Sequence, residues 1–166
     1  MSFVIRPYAP ADHDWVLQCE VELQEHERAI HDTRLPGQPH SRDYLAMLWD
    51  DLAEGKGAML IAENAAGERQ GLVAGHIVDS PWPMETPDST RYGYVSDIYI
   101  KPAARGTSLA RELLDAIADH LRNADPSLTR LRVNVLAVNR VACRAYEKAG
   151  FTPYEVMYER LLRPAG

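Results

Sequence analysis

The sequence predicts an α/β (α+β) fold in which helices lie on the faces of a mixed sheet, and three observations lead there. Stretches with period-two apolar alternation, such as TRLRVNVL at 129–136, are interspersed with stretches of helical period, such as 107–123. The implied order, β, α, α, β, β, β, α, β, α, β, mixes the two element types along the chain. The 166 residues, 46% hydrophobic and 25% charged, suffice for a real core and contain no repeat or low-complexity segment.

Each element follows from local chemistry. Residues 2–6 (SFVIR) read as a short strand, and Pro7 and Pro10 lead into a helix from near Ala11 with Val16, Cys19, Leu23 and Ile30 near helical spacing. Residues 31–41 hold two prolines and a glycine and are expected to form a loop. Ser41 then caps a helix carrying Leu45, Leu48, Trp49 and Leu52, which Gly55 and Gly57 end. Strands are expected at 58–63, 71–79 and 92–100, the first two joined as a hairpin through AAGE. Residues 80–91, with Pro81, Pro83 and Pro87 beside Trp82 and Met84, read as a rigid, non-helical loop that either borders a pocket or packs on the surface. Leu109, Leu113, Ile117 and Leu121 recur four apart and mark a helix over 107–123. Leu131, Val133 and Val135 mark a half-buried strand, Asn139 to Lys148 a short helix stopped by Gly150, and 154–162 (YEVMYERLL) a last strand.

Composition narrows function. A net charge of −6 argues against a nucleic-acid binder and mildly favours a cationic small molecule. Two cysteines, Cys19 and Cys143, far apart and without CxxC spacing, make a disulfide framework or zinc site unexpected, and a reducing cytoplasm fits. No apolar run reaches the roughly 20 residues of a membrane span, and the N-terminus has no signal-peptide pattern. His26, His31, His40 and His76 sit in separate elements without a ligand motif, so no metal is expected.

Two stretches carry chemistry. In KPAARGTSLARELL, residues 101–114, a strand end and turn feed a helix N-terminus, whose unpaired N–H groups and positive dipole end suit an anion. Neither GxGxxG nor GxxxxGK[ST] is present, and a plain capped helix start through Thr107 or Ser108 accounts for the stretch equally well. In VNVLAVNRVACRAYEKAGF, Asn139 and Tyr146 are seven residues, about two helical turns, apart and share a face. A phenol with an ordinary pKa of about 10 stays protonated at neutral pH and can donate to a thiolate whose acid lies near 8.5.

On DIYIKPAARGTSLARELL and NRVACRAYEKAGF the chain resembles the GNAT superfamily of acyl-CoA-dependent N-acyltransferases, and VIRPYAPAD ahead of a helix also matches. The resemblance implies one domain over 1–166 with a mixed, mostly antiparallel central sheet and helices on both faces. It implies acetyl-CoA as cosubstrate, its pyrophosphate held by the backbone of Arg105, Gly106, Thr107, Ser108, Leu109 and Ala110. Ser108 departs from the pattern, which has glycine there. Ile98, Tyr99 and Ile100 would pair with the pantetheine arm like an added strand, and Asn139 would contact it. Tyr146 would be the general acid, and a backbone N–H near Ile98 the oxyanion donor.

Asp97 is the candidate for amine binding or a water-relayed base; some members carry Glu just before it, where this chain has Ser96. Glu20, Glu22, Glu25, Glu27 and Asp32 read either as a solvated face or as the border of a site for a cationic amine. Cys143 reads as a small buried hydrophobe. The implied activity is acetyl transfer to a primary amine of a small molecule or peptide by direct attack, in a monomer or homodimer. The alternative is a catalytically inactive acyl-CoA-binding or regulatory domain.

Overall fold

The computed structural model describes residues 2–162. Five strands form one sheet in chain order: β1 (Val4–Pro7), β2 (Ala58–Glu63), β3 (Arg69–Asp79), β4 (Arg91–Ile100) and β5 (Leu131–Val133). The first four pair antiparallel, and β5 joins β4 in parallel. Helices α1 (His13–Ile30) and α2 (Gly37–Glu54) cover one face, and α4 (Leu109–Ala124) covers the other. A single turn, α3 (Pro87–Thr90), precedes β4, and α5 (Arg140–Lys148) follows β5.

The sheet is buried on both sides, so β2 reads as a continuous apolar run rather than an alternating one. Met59 and Ile61 point to Val16, Cys19, Leu45, Leu48 and Leu52 of α1 and α2, while Leu60 and Ala62 point to α4. The four leucine and isoleucine positions spaced along α4 are all buried to 1% exposure or less. Each such side chain contributes roughly 1.5–3 kcal/mol.

The start of α1 is pinned by charge. Asp12, 1% exposed, takes both guanidinium nitrogens of Arg6 at 2.7 and 2.9 Å, Arg69 Nε at 2.7 Å and the Ala9 N–H at 2.8 Å. This network ties β1 and β3 to the 3-10 turn Pro10–Asp12, so α1 begins at His13, two residues beyond the expected Ala11.

Other expectations need correction. The loop expected over 31–41 ends at Pro36, because Pro39 is accommodated in the first turn of α2, with a local break at Gln38. Ser41 therefore lies inside the helix, its hydroxyl bonding back to the Gly37 carbonyl at 2.9 Å instead of capping. In the 80–91 segment, Pro87 opens one helical turn, and Trp82 and Met84 are exposed.

The strand expected over 129–136 shrinks to Leu131–Val133, the only stretch that has a partner. No strand forms over 154–162. Tyr154 stacks on the Arg132 guanidinium 4.2 Å away, and Val156, Met157, Tyr158, Leu161 and Leu162 are exposed. Strand-forming residues make a ladder only against an available edge, and this segment pairs with none.

Candidate active site

The site begins where the sheet opens. β5 covers β4 only from Gly93 to Val95, so the β4 edge over residues 96–100 has no partner on that side among the described residues. Opposite it, the register steps between Ala74, paired with Asp97, and Gly75, paired with Val95, which leaves Ser96 as a β-bulge. The bulge falls where β5 departs and re-aims the backbone beside Asp97. Ile98 and Ile100 pack toward α4, whereas Tyr99 turns its buried ring to α1 and donates its hydroxyl to Glu22 at 2.5 Å.

At the end of β4 lies the turn that leads into α4. Gly106 has φ +78°, a conformation that favours glycine, and nothing stands within 4 Å of where a Cβ would project. Thr107 Oγ1 donates to the Ala104 carbonyl at 2.7 Å and accepts the Leu109 N–H at 3.3 Å, fixing the turn. Arg105 Nε holds the Ile100 carbonyl at 3.1 Å. Leu109 is wholly buried and anchors α4, so the N–H groups of the helix's first turn, Ala110 among them, are presented rigidly. Ser108 has φ −72° and ψ −8°, ordinary right-handed values, so a glycine there would serve close approach and not conformation. Its hydroxyl is already engaged, donating to Glu112 Oε1 at 2.5 Å.

At the start of α5, Asn139 Oδ1 accepts the Ala142 N–H at 3.1 Å and caps the helix, leaving its amide N–H groups to donate elsewhere. The helix ends in a Schellman motif: Phe151 N–H bonds the Tyr146 carbonyl and Gly150 N–H the Glu147 carbonyl, both at 3.0 Å, with Gly150 at φ +92°. The accompanying apolar contact is between Tyr146 and Phe151, ring centroids 5.9 Å apart. The YEKAGF sequence thus fixes the tyrosine ring as well as the helix end. Burial pushes the Tyr146 phenol up to about 12, and the Asp97 charge adds to the shift.

Asp97 is half-buried, and its Oδ2 accepts the Tyr44 hydroxyl at 2.6 Å. Burial raises its carboxyl to about 6; the Tyr44 hydrogen bond opposes the rise and the charge of Glu27 adds to it. Ser96 Oγ lies 3.2 Å from His76 Nδ1, and burial lowers the pKa of that imidazole. The Tyr94 ring meets His76 edge-on at 5.7 Å. Among the described residues, no three His, Cys, Asp or Glu side chains gather as a metal-binding set.

Two further residues were not singled out from the sequence. Tyr44 gave no signal beyond an aromatic on a helix. Glu20, noted only among the acids of α1, is 3% exposed and lies on the core-facing stripe with Val16 and Cys19. A carboxylate where helical spacing calls for an apolar side chain was a legible sign.

The model of the Acetyltransferase (GNAT) family matches residues 21–151. An IAA acetyltransferase of Azospirillum brasilense is 38% identical over 60 residues, a match that spans 36% of this chain and 38% of that protein. A mutant of the Bacillus halodurans protein BH1408 superposes with TM-score 0.79 at 18% identity, over 96% of this chain and 99% of that one. A predicted acetyltransferase from Clostridium acetobutylicum, solved with acetyl-CoA, gives 0.71 at 19% identity over 96% of both chains. An aminoglycoside 6'-N-acetyltransferase from Acinetobacter baumannii gives 0.68 at 14% identity, over 98% of this chain and 99% of that one. At such identities the superpositions speak for the fold, and the family model speaks for kinship: the chain belongs to the acetyltransferase (GNAT) family.

Proposed function

We propose that the chain is an acetyl-CoA-dependent N-acetyltransferase that moves the acetyl group to a primary amine of a small molecule or peptide by direct attack. The observation that carries this reading is the β4 edge over residues 96–100, unpaired among the described residues, with the half-buried Asp97 beside the bulge at Ser96, together with a Tyr146 ring held by Phe151. The fit to acetyl-CoA rests on the Gly106 turn, the first-turn N–H groups of α4 and the unpaired edge of β4. The backbone of residues 105–110 would hold the pyrophosphate, residues 98–100 would pair with the pantetheine arm, and Asn139 would donate its amide N–H to that arm.

In this reading Asp97 takes a proton from the incoming ammonium group. The amine nitrogen bonds to the thioester carbon and sheds a second N–H proton, the carbon–sulfur bond breaks, and that proton ends on the departing sulfur, so the one net proton released is the one taken by Asp97. With Tyr146 at about 12, full transfer of its proton to a thiolate near 8.5 is uphill by roughly 5 kcal/mol. Tyr146 therefore acts as a hydrogen-bond donor to the departing sulfur, strongest as charge develops there, rather than as a source of free protons.

An amine screen with acetyl-CoA, read as thiol release and amide mass, tests the reading. Transfer to at least one primary amine is expected. A protein stabilised by acetyl-CoA that acetylates no amine would instead support an acyl-CoA-binding domain, an alternative favoured by the Ser108–Glu112 contact, which puts a carboxylate beside the cradle.

A further inference from the structure

The acids of α1 are not equivalent. Glu22 accepts from Tyr99 and Gln18 at 2.5 and 3.1 Å, Glu25 from the Gly37 N–H and Arg28 at 2.6 and 3.2 Å, and Glu27 from Arg34 at 2.6 Å. Glu20 is the most deeply buried of the four, and its Oε1 has no hydrogen-bond partner among the described residues. A buried carboxyl oxygen left in that condition costs stability, because nothing replaces the water it lost.

Its electrostatic neighbour across the α1–β4 contact is Asp97, and no lysine or arginine makes an ion pair with either among the described residues. The titratable groups that sense this pair are Cys19 from α1, Tyr44 from α2, Tyr94 from β4 and Tyr146 from α5, while Glu27, itself paired with Arg34, adds its charge to Asp97. None of them carries positive charge. Burial, reinforced by the charge of Asp97, holds the Glu20 carboxyl well above the usual carboxylate range.

The carboxyls of Glu20 and Asp97 with the phenol rings of Tyr44, Tyr94 and Tyr146, a set without a cation, are the complement of an ammonium group. A primary ammonium brings one positive charge and three N–H donors, and aromatic faces attract it further. A carboxylate attached next to that ammonium would be repelled by the same pair.

We propose that Glu20 is the specificity anchor of the acceptor site, binding together with Asp97 the ammonium group of an arylalkyl or alkyl amine that has no carboxylate on the adjoining carbon. This rests on the acetyltransferase reading above, with Asp97 as the proton acceptor and Glu20 as the group that selects and positions the amine. Free α-amino acids are thereby disfavoured as acceptors.

The probe is 2-phenylethylammonium chloride, titrated calorimetrically into the protein with and without coenzyme A. L-Phenylalanine provides the same amine with a carboxylate, and 2-phenylethanol provides a neutral control. The wild type is expected to bind the ammonium probe at least tenfold tighter than L-phenylalanine and to ignore the alcohol. Glu20→Gln should weaken the probe roughly tenfold or more, the loss of one charge-assisted hydrogen bond, and narrow its advantage over L-phenylalanine.

Glu20→Leu supplies the second variant: it should fold with a higher Tm, since an unpartnered buried carboxyl is replaced by an apolar side chain, and should not bind the probe. Absence of probe binding to a wild type that responds to acetyl-CoA, or equal binding by Glu20→Gln, would overturn the proposal. Probe binding without any acetyl-CoA response would uphold the ammonium site and sink the acetyltransferase reading instead.

Discussion

Replacing Tyr44 by phenylalanine isolates one hydrogen bond that sets the basicity of Asp97. The ring is kept and only the hydroxyl that donates to Oδ2 at 2.6 Å is removed. Burial raises the Asp97 carboxyl, and the Tyr44 bond partly counters the rise by favouring the ionised form. A hydrogen bond to a charged group contributes about 1.5–3 kcal/mol, or roughly one to two pKa units. Starting from about 6, Asp97 in Tyr44→Phe should therefore titrate near 7 to 8. The assay is the pH profile of kcat/KM for acetyl transfer to a fixed amine. The limb on which activity rises with pH should move upward by one to two units, with plateau activity less affected. A limb that stays in place or moves downward would refute the reasoning, because it would mean that Tyr44 does not stabilise the carboxylate.

Asp12→Ala should cost about 3 kcal/mol in chemical denaturation, the low end for a broken buried pair because Arg6 and Arg69 remain a third exposed. Stability should also respond to pH with opposite signs at two places. Asp12 is held low, first by Arg6, so its contribution is present above the unfolded value near 4 and is lost as pH falls below it. Glu20 and Asp97 are held high, so the folded state loses stability as pH rises from roughly 4 toward 6, a decline that Glu20→Leu should flatten in Tm measurements. Phe151→Ala should remove the contact that positions the Tyr146 ring and lower kcat more than it raises the KM for acetyl-CoA, as read by steady-state kinetics. Ser108→Gly should release Glu112 and tighten coenzyme A binding in calorimetry; weaker binding would mean that the hydroxyl leaves Glu112 to bond the phosphate.

Much of this was legible in the sequence because it depends on local chemistry. The four-residue spacing in α4 and the glycine stop at Gly150 are decided within a turn or two of chain and appear where expected, while Asn139, expected as the first residue of the short helix, caps it instead. What depends on a distant partner was read less well. YEVMYERLL has strand-forming residues but joins no edge of the sheet among the described residues, and β5 is limited to three residues because β4 leaves it after Val95. The bulge at Ser96 is invisible in sequence, since it belongs to the register between β3 and β4 and not to either strand.

The candidate site divides in the same way. The 105–110 turn and Tyr146 were proposed from short contiguous motifs, and the geometry adds a left-handed turn at Gly106 and a ring contact between Tyr146 and Phe151. Asp97 was named as a candidate from the sequence, but its surroundings were not, because Tyr44 lies 53 residues away on another element. The acidic helix was noticed as a group, and only burial and partner assignment reduce it to the single unsatisfied carboxyl of Glu20.

The central claim is that acetyl transfer occurs in the opening beside β4 with Tyr146 supporting the departing sulfur. The most direct test is the single-turnover rate of amide formation from acetyl-CoA in Tyr146→Phe against the wild type, with acetyl-CoA affinity measured alongside. A fall in rate of roughly a hundredfold or more with affinity unchanged is the predicted result. An unchanged rate, with amide still formed, would contradict the account.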